Sequence, residues 1–172
     1  DAFAFAFCGL VAPLCLAAFN VSPALVGLLA AGEPLGALIG GALIAMGVVR
    51  MDRRLTFAGG AALFMAALIL MALSPSFWFA FAILVLGGFG TAGFGNMQST
   101  LMLTEAPPEV RSRLMGVVTV CIGTGPLGQL VAGAISDQIG PRSAVIVMAV
   151  TGLALTAAMV WVLKQPSGKP PT

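Results

Sequence analysis

Six long runs of apolar residues dominate the sequence, and short breaks of turn residues or charged residues separate them. A helix of about 20 apolar residues is long enough to cross the ~30 Å hydrocarbon core of a bilayer. Charged residues make up only 8% of the chain and hydrophobic residues 59%, whereas soluble domains carry about 25% charged residues. We therefore expect lipid, rather than water, to surround most of the folded chain.

The runs predict an all-α membrane protein built as a bundle of six transmembrane helices. They cover residues 2–20, 23–49, 55–74, 77–104, 113–136 and 143–163. We expect residues 1–164 to form one transmembrane domain and residues 165–172, which are mostly polar residues, Pro and Gly, to form a disordered cytoplasmic tail. Because the first run begins without a Met, we interpret the chain as part of a longer protein.

The positions of Lys and Arg predict how the bundle lies in the membrane. Seven of the eight basic residues follow the second, fourth and sixth runs, and only Arg142 follows the fifth. Cytoplasmic loops carry an excess of Lys and Arg. The sequence therefore predicts a multi-pass protein of the plasma (inner) membrane with both ends on the cytoplasmic side.

An internal repeat relates the second run to the fifth. PLGALIGGALIAMGVVR, residues 34–50, matches PLGQLVAGAISDQIGPR, residues 126–142, at seven of seventeen positions. The repeats extend over residues 1–75 and 76–164 and contain three predicted helices each. Since three is an odd number of crossings, the second copy must run inverted in the bilayer, as in many secondary transporters.

The stretch GAISDQIGPR fits the pattern G-x-x-x-D-x-x-G-x-R, and the equivalent earlier stretch is degenerate because Ala45 stands in place of the aspartate. With this loop signature, the chain resembles the C-terminal six-helix half of a major facilitator superfamily transporter. The run GTGPLGQLVAG is similar to the antiporter motif of drug exporters in that family. The resemblance implies alternating access, export of a small molecule, and a conformational latch. The latch positions are Gly133, Asp137, Gly140 and Arg142.

Glu33 is the only acidic residue well inside an apolar run. At 100° per residue it shares a helix face with small residues, while bulky residues such as Leu35 and Leu38 lie opposite. A membrane environment favours the neutral form of a carboxyl group, and carboxyl groups at this depth often mark proton relays or cation sites. We interpret Glu33 as a candidate for proton or substrate coupling; the alternative is a protonated glutamate that only bonds neighbouring helices.

Polar and bending residues inside the other runs complete the candidate site. Asn96 and Gln129 lie on faces of small residues, where they either bond neighbouring helices or line a solute path. Pro13, Pro34 and Pro126 fall within predicted helices, remove backbone donors and predict bends. The two G-x-G-x-x-G matches, at 88–93 and 123–128, lack a strand context and favour helix packing over a dinucleotide site.

The sequence also predicts what the protein does not do. It contains no His, which excludes Ser-His and Cys-His catalytic pairs and His-ligated metals, so we expect no enzyme activity, cofactor or metal. The net charge of +2 does not suggest nucleic acid. Expected partners are the lipid bilayer, a small solute, H⁺, and either a missing N-terminal six-helix half or a second copy. A homodimeric six-helix transporter or a non-transporting scaffold remain alternatives.

Overall fold

The computed structural model describes residues 2–48 and 52–164, and the elements it describes are helices. A 3₁₀ helix, Phe5–Leu10, leads directly into the first α-helix, and a short 3₁₀ turn, Pro108–Val110, precedes the fifth. The α-helices are α1 (Val11–Phe19), α2 (Pro23–Ala45), α3 (Arg53–Ala72), α4 (Phe77–Glu105), α5 (Arg111–Ile122), α6 (Gly125–Ile139) and α7 (Pro141–Lys164). The predicted tail, 165–172, and Arg50, the last residue of the first repeat match, lie outside the described residues.

Five stretches of the described chain are long and apolar enough to cross a membrane: α2, α3, α4, α7 and the stretch Pro108–Ile139. The first predicted span, realised as Phe5–Phe19, is a shorter apolar helix. Six 3₁₀ residues rising ~2.0 Å each and nine α residues rising ~1.5 Å each nevertheless give about 25 Å of length. The extended rise of the 3₁₀ segment thus partly compensates for the small number of residues.

The fifth predicted span is two helices rather than one. α5 ends at Ile122 and α6 begins at Gly125, with Gly123 and Thr124 between them. Pro126 has no N–H to donate to the carbonyl of Ile122, which an unbroken helix would require. The Thr124 hydroxyl instead donates to the carbonyl of Cys121 at 2.6 Å, so the break carries its own hydrogen bonds.

Large apolar side chains cover the outside of the bundle. Leu38 and Val120 are 72% and 71% exposed, and both tryptophans, Trp78 and Trp161, are 66% exposed. Exposed apolar surface of this extent is unfavourable in water, whereas lipid tails are as apolar as these side chains. The described fold is therefore a membrane helical bundle, as the composition predicts.

Helix α4 is the centre of the first four helices, because α2 and α3 both pack extensively on it. At the α2 crossing, a Cβ atom on Gly36 would collide with the carbonyl oxygen of Val85, and one on Gly88 with that of Glu33. At the α3 crossing, a Cβ on Gly60 would lie 2.5 Å from the Gly90 carbonyl oxygen. The glycines thus bring backbones into direct contact on two sides of α4, as small residues do between transmembrane helices.

Two of the other helix contacts match the internal repeat. The 3₁₀ helix of the first span packs on α6 of the fifth, and α2 of the second span packs on α4 of the fourth. The repeat relates the first span to the fourth and the second span to the fifth. It therefore converts the contact between spans one and five into the contact between spans four and two. The third and sixth spans, α3 and α7, pack on each other, as expected beside an axis that relates two copies.

The glycine crossing generates a stability prediction within α2. Gly36→Ala places a methyl group against the backbone of α4, and overpacking of this kind costs about 1–3 kcal/mol. Gly27→Ala is the matched control, because a Cβ at Gly27 meets nothing within 4 Å; Ala there favours the helix by about 0.5–1 kcal/mol. Thermal unfolding in detergent should give a lower midpoint for Gly36→Ala and an equal or higher one for Gly27→Ala. Equal midpoints for the two variants would show that the crossing is not tight.

Candidate solute-binding and coupling site

Glu33 lies near the middle of α2, on the side that packs against α4. Its carboxyl Oε1 is 2.6 Å from Thr91 Oγ1 on α4, and the side chain is half-buried. Thr91 Oγ1 is also 2.9 Å from the carbonyl oxygen of Gly88, one turn earlier in its own helix. The bulky residue Leu38 on the opposite face is exposed, so the carboxyl group points into protein while that face of α2 points away from it.

The local sequence explains this position. α2 runs without interruption through Pro34, which follows Glu33 and has no N–H for the carbonyl of Ala30. Gly36 and Gly88 let the backbones of α2 and α4 touch within one helical turn of Glu33. A threonine three residues after Gly88 therefore reaches across the crossing with a short side chain.

The 3₁₀ helix of the first span connects Glu33 with Gln129. Cys8 is close enough to Glu33 for an electrostatic interaction. The next residue, Gly9, packs against Gln129 of α6, because a Cβ at Gly9 would lie 3.4 Å from Gln129 Cβ and 3.8 Å from its Oε1. Of two consecutive residues in this helix, one thus lies within electrostatic range of Glu33 and the other packs against Gln129. Gln129 is half-buried, and within the described chain its amide has no hydrogen-bond partner.

Asn96 lies about 7.5 Å further along α4 than Thr91. Its Nδ2 donates to the carbonyl of Ala92 in the same helix at 2.8 Å. On α2, a Cβ at Gly41 would be 3.9 Å from that nitrogen. The residue is exposed, and among residues 2–48 and 52–164 its amide makes no bond to another helix.

The four latch positions run from the middle of α6 to the start of α7. α6 ends at Ile139, and Gly140 has φ of +84°, a conformation that side-chain-bearing residues rarely adopt. Arg142 Nη2 donates to the carbonyl of buried Ser74 at 3.1 Å, and its guanidinium lies 5.8 Å from the centre of the Phe19 ring. Arg142 therefore joins the start of α7 to the end of α1 and the turn between α3 and α4.

The other two latch positions make no such connection. Asp137 is exposed on the last turns of α6 and has no hydrogen bond or ion pair within the described part of the chain. Gly133 is half-buried on the same helix, and a Cβ there would meet nothing within 4 Å. The aspartate and the arginine of the motif are thus not paired with each other in this structure.

The sequence model of the Major Facilitator Superfamily matches residues 1–172, the entire chain. The chain belongs to this superfamily. No curated protein sequence matches it. A major facilitator protein is a multi-pass membrane transporter and in general not an enzyme, so the half-buried carboxyl group of Glu33 and the amides of Asn96 and Gln129 belong to a transport protein.

Sequence reasoning did not single out Thr91, which is hydrogen-bonded to Glu33, or Cys8, which lies within electrostatic range of Glu33. Thr91 lies within the run GFGTAG, where the glycines drew the interpretation toward helix packing alone. Cys8 lies in an apolar run, where nothing in the sequence marks it out. The only available signal was a hydroxyl group within a glycine-rich apolar helix, and it does not identify α2 as the neighbour.

The three prolines have different surroundings in the transporter. Pro13 lies in the first turn of α1, just after the 3₁₀ helix ends at Leu10. Pro126 lies in the first turn of α6, just after the break at Gly123 and Thr124. Pro34 is inside α2. Two prolines therefore follow changes of helix geometry, while the third lies beside Glu33.

The contacts of Arg142 predict a difference between the two charged residues of the motif. Arg142→Gln removes the bond to the Ser74 carbonyl and the contact with Phe19, which together should lower stability by about 1–2 kcal/mol. Asp137→Asn should change stability by less than about 0.5 kcal/mol, as is usual for exposed residues without partners. Thermal unfolding in detergent compares the two. A larger loss for Asp137→Asn would mean that the aspartate has a structural partner.

Proposed function

We propose that this chain is the C-terminal half of a proton-coupled secondary transporter that exports a small organic solute by alternating access. Glu33 binds and releases the proton. The observation that carries the proposal is the position of Thr91 Oγ1 between Glu33 Oε1 and the Gly88 carbonyl oxygen, at 2.6 and 2.9 Å.

A hydroxyl group has one hydrogen to donate. When Glu33 is ionised, its carboxylate and the Gly88 carbonyl are both acceptors and compete for that hydrogen. When Glu33 is protonated, the carboxyl group donates to Thr91 Oγ1, and Thr91 donates to Gly88. The protonated form therefore makes both hydrogen bonds, whereas the ionised form makes only one of them. The number of hydrogen bonds thus differs between the two protonation states of Glu33.

Protonation also acts on the contact between α2 and α4. The backbone of Gly88 lies directly against α2, so the Thr91 bond ends at the helix crossing itself. A hydrogen bond contributes about 0.5–1.5 kcal/mol, which corresponds to a change of up to about tenfold in the ratio of two conformations. Such a bias is of the size that couples ion binding to a conformational equilibrium.

Two amides that make no bond to another helix within the described residues support a solute path next to the carboxyl group. Gln129 packs against Gly9, and Cys8, the residue before Gly9, lies within electrostatic range of Glu33. Asn96 is exposed on α4. Amides bond both donors and acceptors on a solute. We infer that a partner bundle closes the other side of this path. The partner is an N-terminal six-helix half or a second copy, with both ends of this chain in the cytoplasm and the protein in the plasma membrane.

The proton site can be tested without knowing the solute. Infrared difference spectra of the protein, recorded while the pH is changed, should contain a band from a protonated carboxyl group that titrates. Glu33→Gln should remove that band. Thr91→Val should shift it, because the carboxyl group loses its hydrogen-bond partner. Glu109→Gln, at an exposed position between α4 and α5, is the matched control and should leave the band unchanged.

Transport is tested in liposomes that carry a pH gradient, with the organic cation ethidium as the first probe of a panel of small organic solutes. Gradient-driven movement should fall to the rate of protein-free liposomes in Glu33→Gln and remain in Glu109→Gln. Gradient-driven transport that is unaltered in Glu33→Gln would contradict the assignment. Absence of flux for every solute in the panel would instead favour a scaffold.

A further inference from the structure

A groove opens on the outer surface between α2 and α3, and α4 forms its floor. α2 and α3 each pack closely on the glycines of α4 but make little contact with each other, so a trough remains between them. Its volume is about 320 Å³, and its lining is apolar apart from Thr56. We call it the α2–α3 groove; Leu43 and Ile44 form one wall, Leu55 and Leu63 the other, and Phe89 and Gly93 the floor.

An arginine that has no partner among the described residues lies at one end of this groove. Arg53 is the first residue of α3 and precedes Thr56 and Gly60, which line the groove, by three and seven residues. Positions i, i+3 and i+7 share a helix face. Arg53 is exposed, and within residues 2–48 and 52–164 it makes no hydrogen bond or ion pair. The adjacent Arg54, by contrast, bonds Glu105 of α4 through two nitrogens at 3.3 and 2.7 Å.

We propose that the α2–α3 groove binds an anionic phospholipid, with an acyl chain in the trough and the phosphate on Arg53. In a membrane protein an outward apolar trough faces lipid tails, so an acyl chain fills it with no loss of polar hydration. A guanidinium group pairs with phosphate through two parallel hydrogen bonds. A basic residue at the membrane surface also attracts anionic lipid in particular. The trough and the cation thus match the two chemically different parts of one molecule.

A second groove provides an internal comparison. It lies between α3 and α7, has a volume of about 390 Å³, and is lined by apolar residues and Thr156 without a charged side chain among them. Apolar fit alone would let any phospholipid occupy it. Selectivity for anionic lipid should therefore belong to the α2–α3 groove and depend on Arg53.

The test is native mass spectrometry of the purified protein after incorporation into bilayers of phosphatidylcholine with a minor fraction of phosphatidylglycerol. The protein should retain phosphatidylglycerol in preference. Arg53→Gln should lower the affinity for phosphatidylglycerol about fivefold, the effect of one basic residue near the surface. Arg113→Gln removes the same charge from an exposed position at the start of α5 and should not change it.

Two further variants separate the grooves. Leu43→Trp fills the α2–α3 groove and should remove the retained phosphatidylglycerol, whereas Ala157→Trp fills only the other groove and should not. Unchanged retention in both Arg53→Gln and Leu43→Trp would overturn the proposal. So would a loss in Leu43→Trp without any in Arg53→Gln, which would indicate a neutral lipid. A dimer that dissociates in Leu43→Trp would show that a second copy covers the groove instead.

Discussion

Direct contact between helix backbones on two sides of α4 is the constraint on which the first four helices depend. Gly88 meets α2 and Gly90 meets α3, so one short segment of α4 sets the distances of both neighbours. In lipid, apolar side chains gain little by burial against each other, and close packing becomes the main source of helix association. The glycines permit that packing because nothing projects from the backbone between the helices.

The same close approach determines what the site and the surface look like. A threonine side chain is too short to bridge two helices at ordinary separation, yet Thr91 reaches Glu33 because Gly36 and Gly88 remove the space between them. On the outer side, the crowding of α2 and α3 onto α4 rather than onto each other leaves the trough that ends near Arg53. The polar site and the apolar groove are therefore two results of one packing arrangement.

The membrane fold was predictable from sequence because apolar runs of sufficient length have few alternatives to spanning a bilayer. The outward direction of Leu38 and the inward direction of Glu33 also followed, since helical periodicity alone assigns faces. The pairing of Glu33 with Thr91 did not follow, because it depends on which helices cross and at which residue. Pro126 predicted a bend in the fifth span, but the division into two helices at Gly123 and Thr124 did not follow, because the apolar run continues across these residues.

The 3₁₀ segment Phe5–Leu10 has a mechanical consequence for the residues next to it. A 3₁₀ helix advances about 2.0 Å and turns about 120° per residue, against about 1.5 Å and 100° in an α-helix. If these six residues adopted α-helical geometry, the segment would shorten by about 3 Å and one end would rotate by about 120° relative to the other. Cys8 and Gly9 lie within this segment. A change between 3₁₀ and α-helical geometry would therefore move them relative to Glu33 and Gln129 without any movement of α2 or α6.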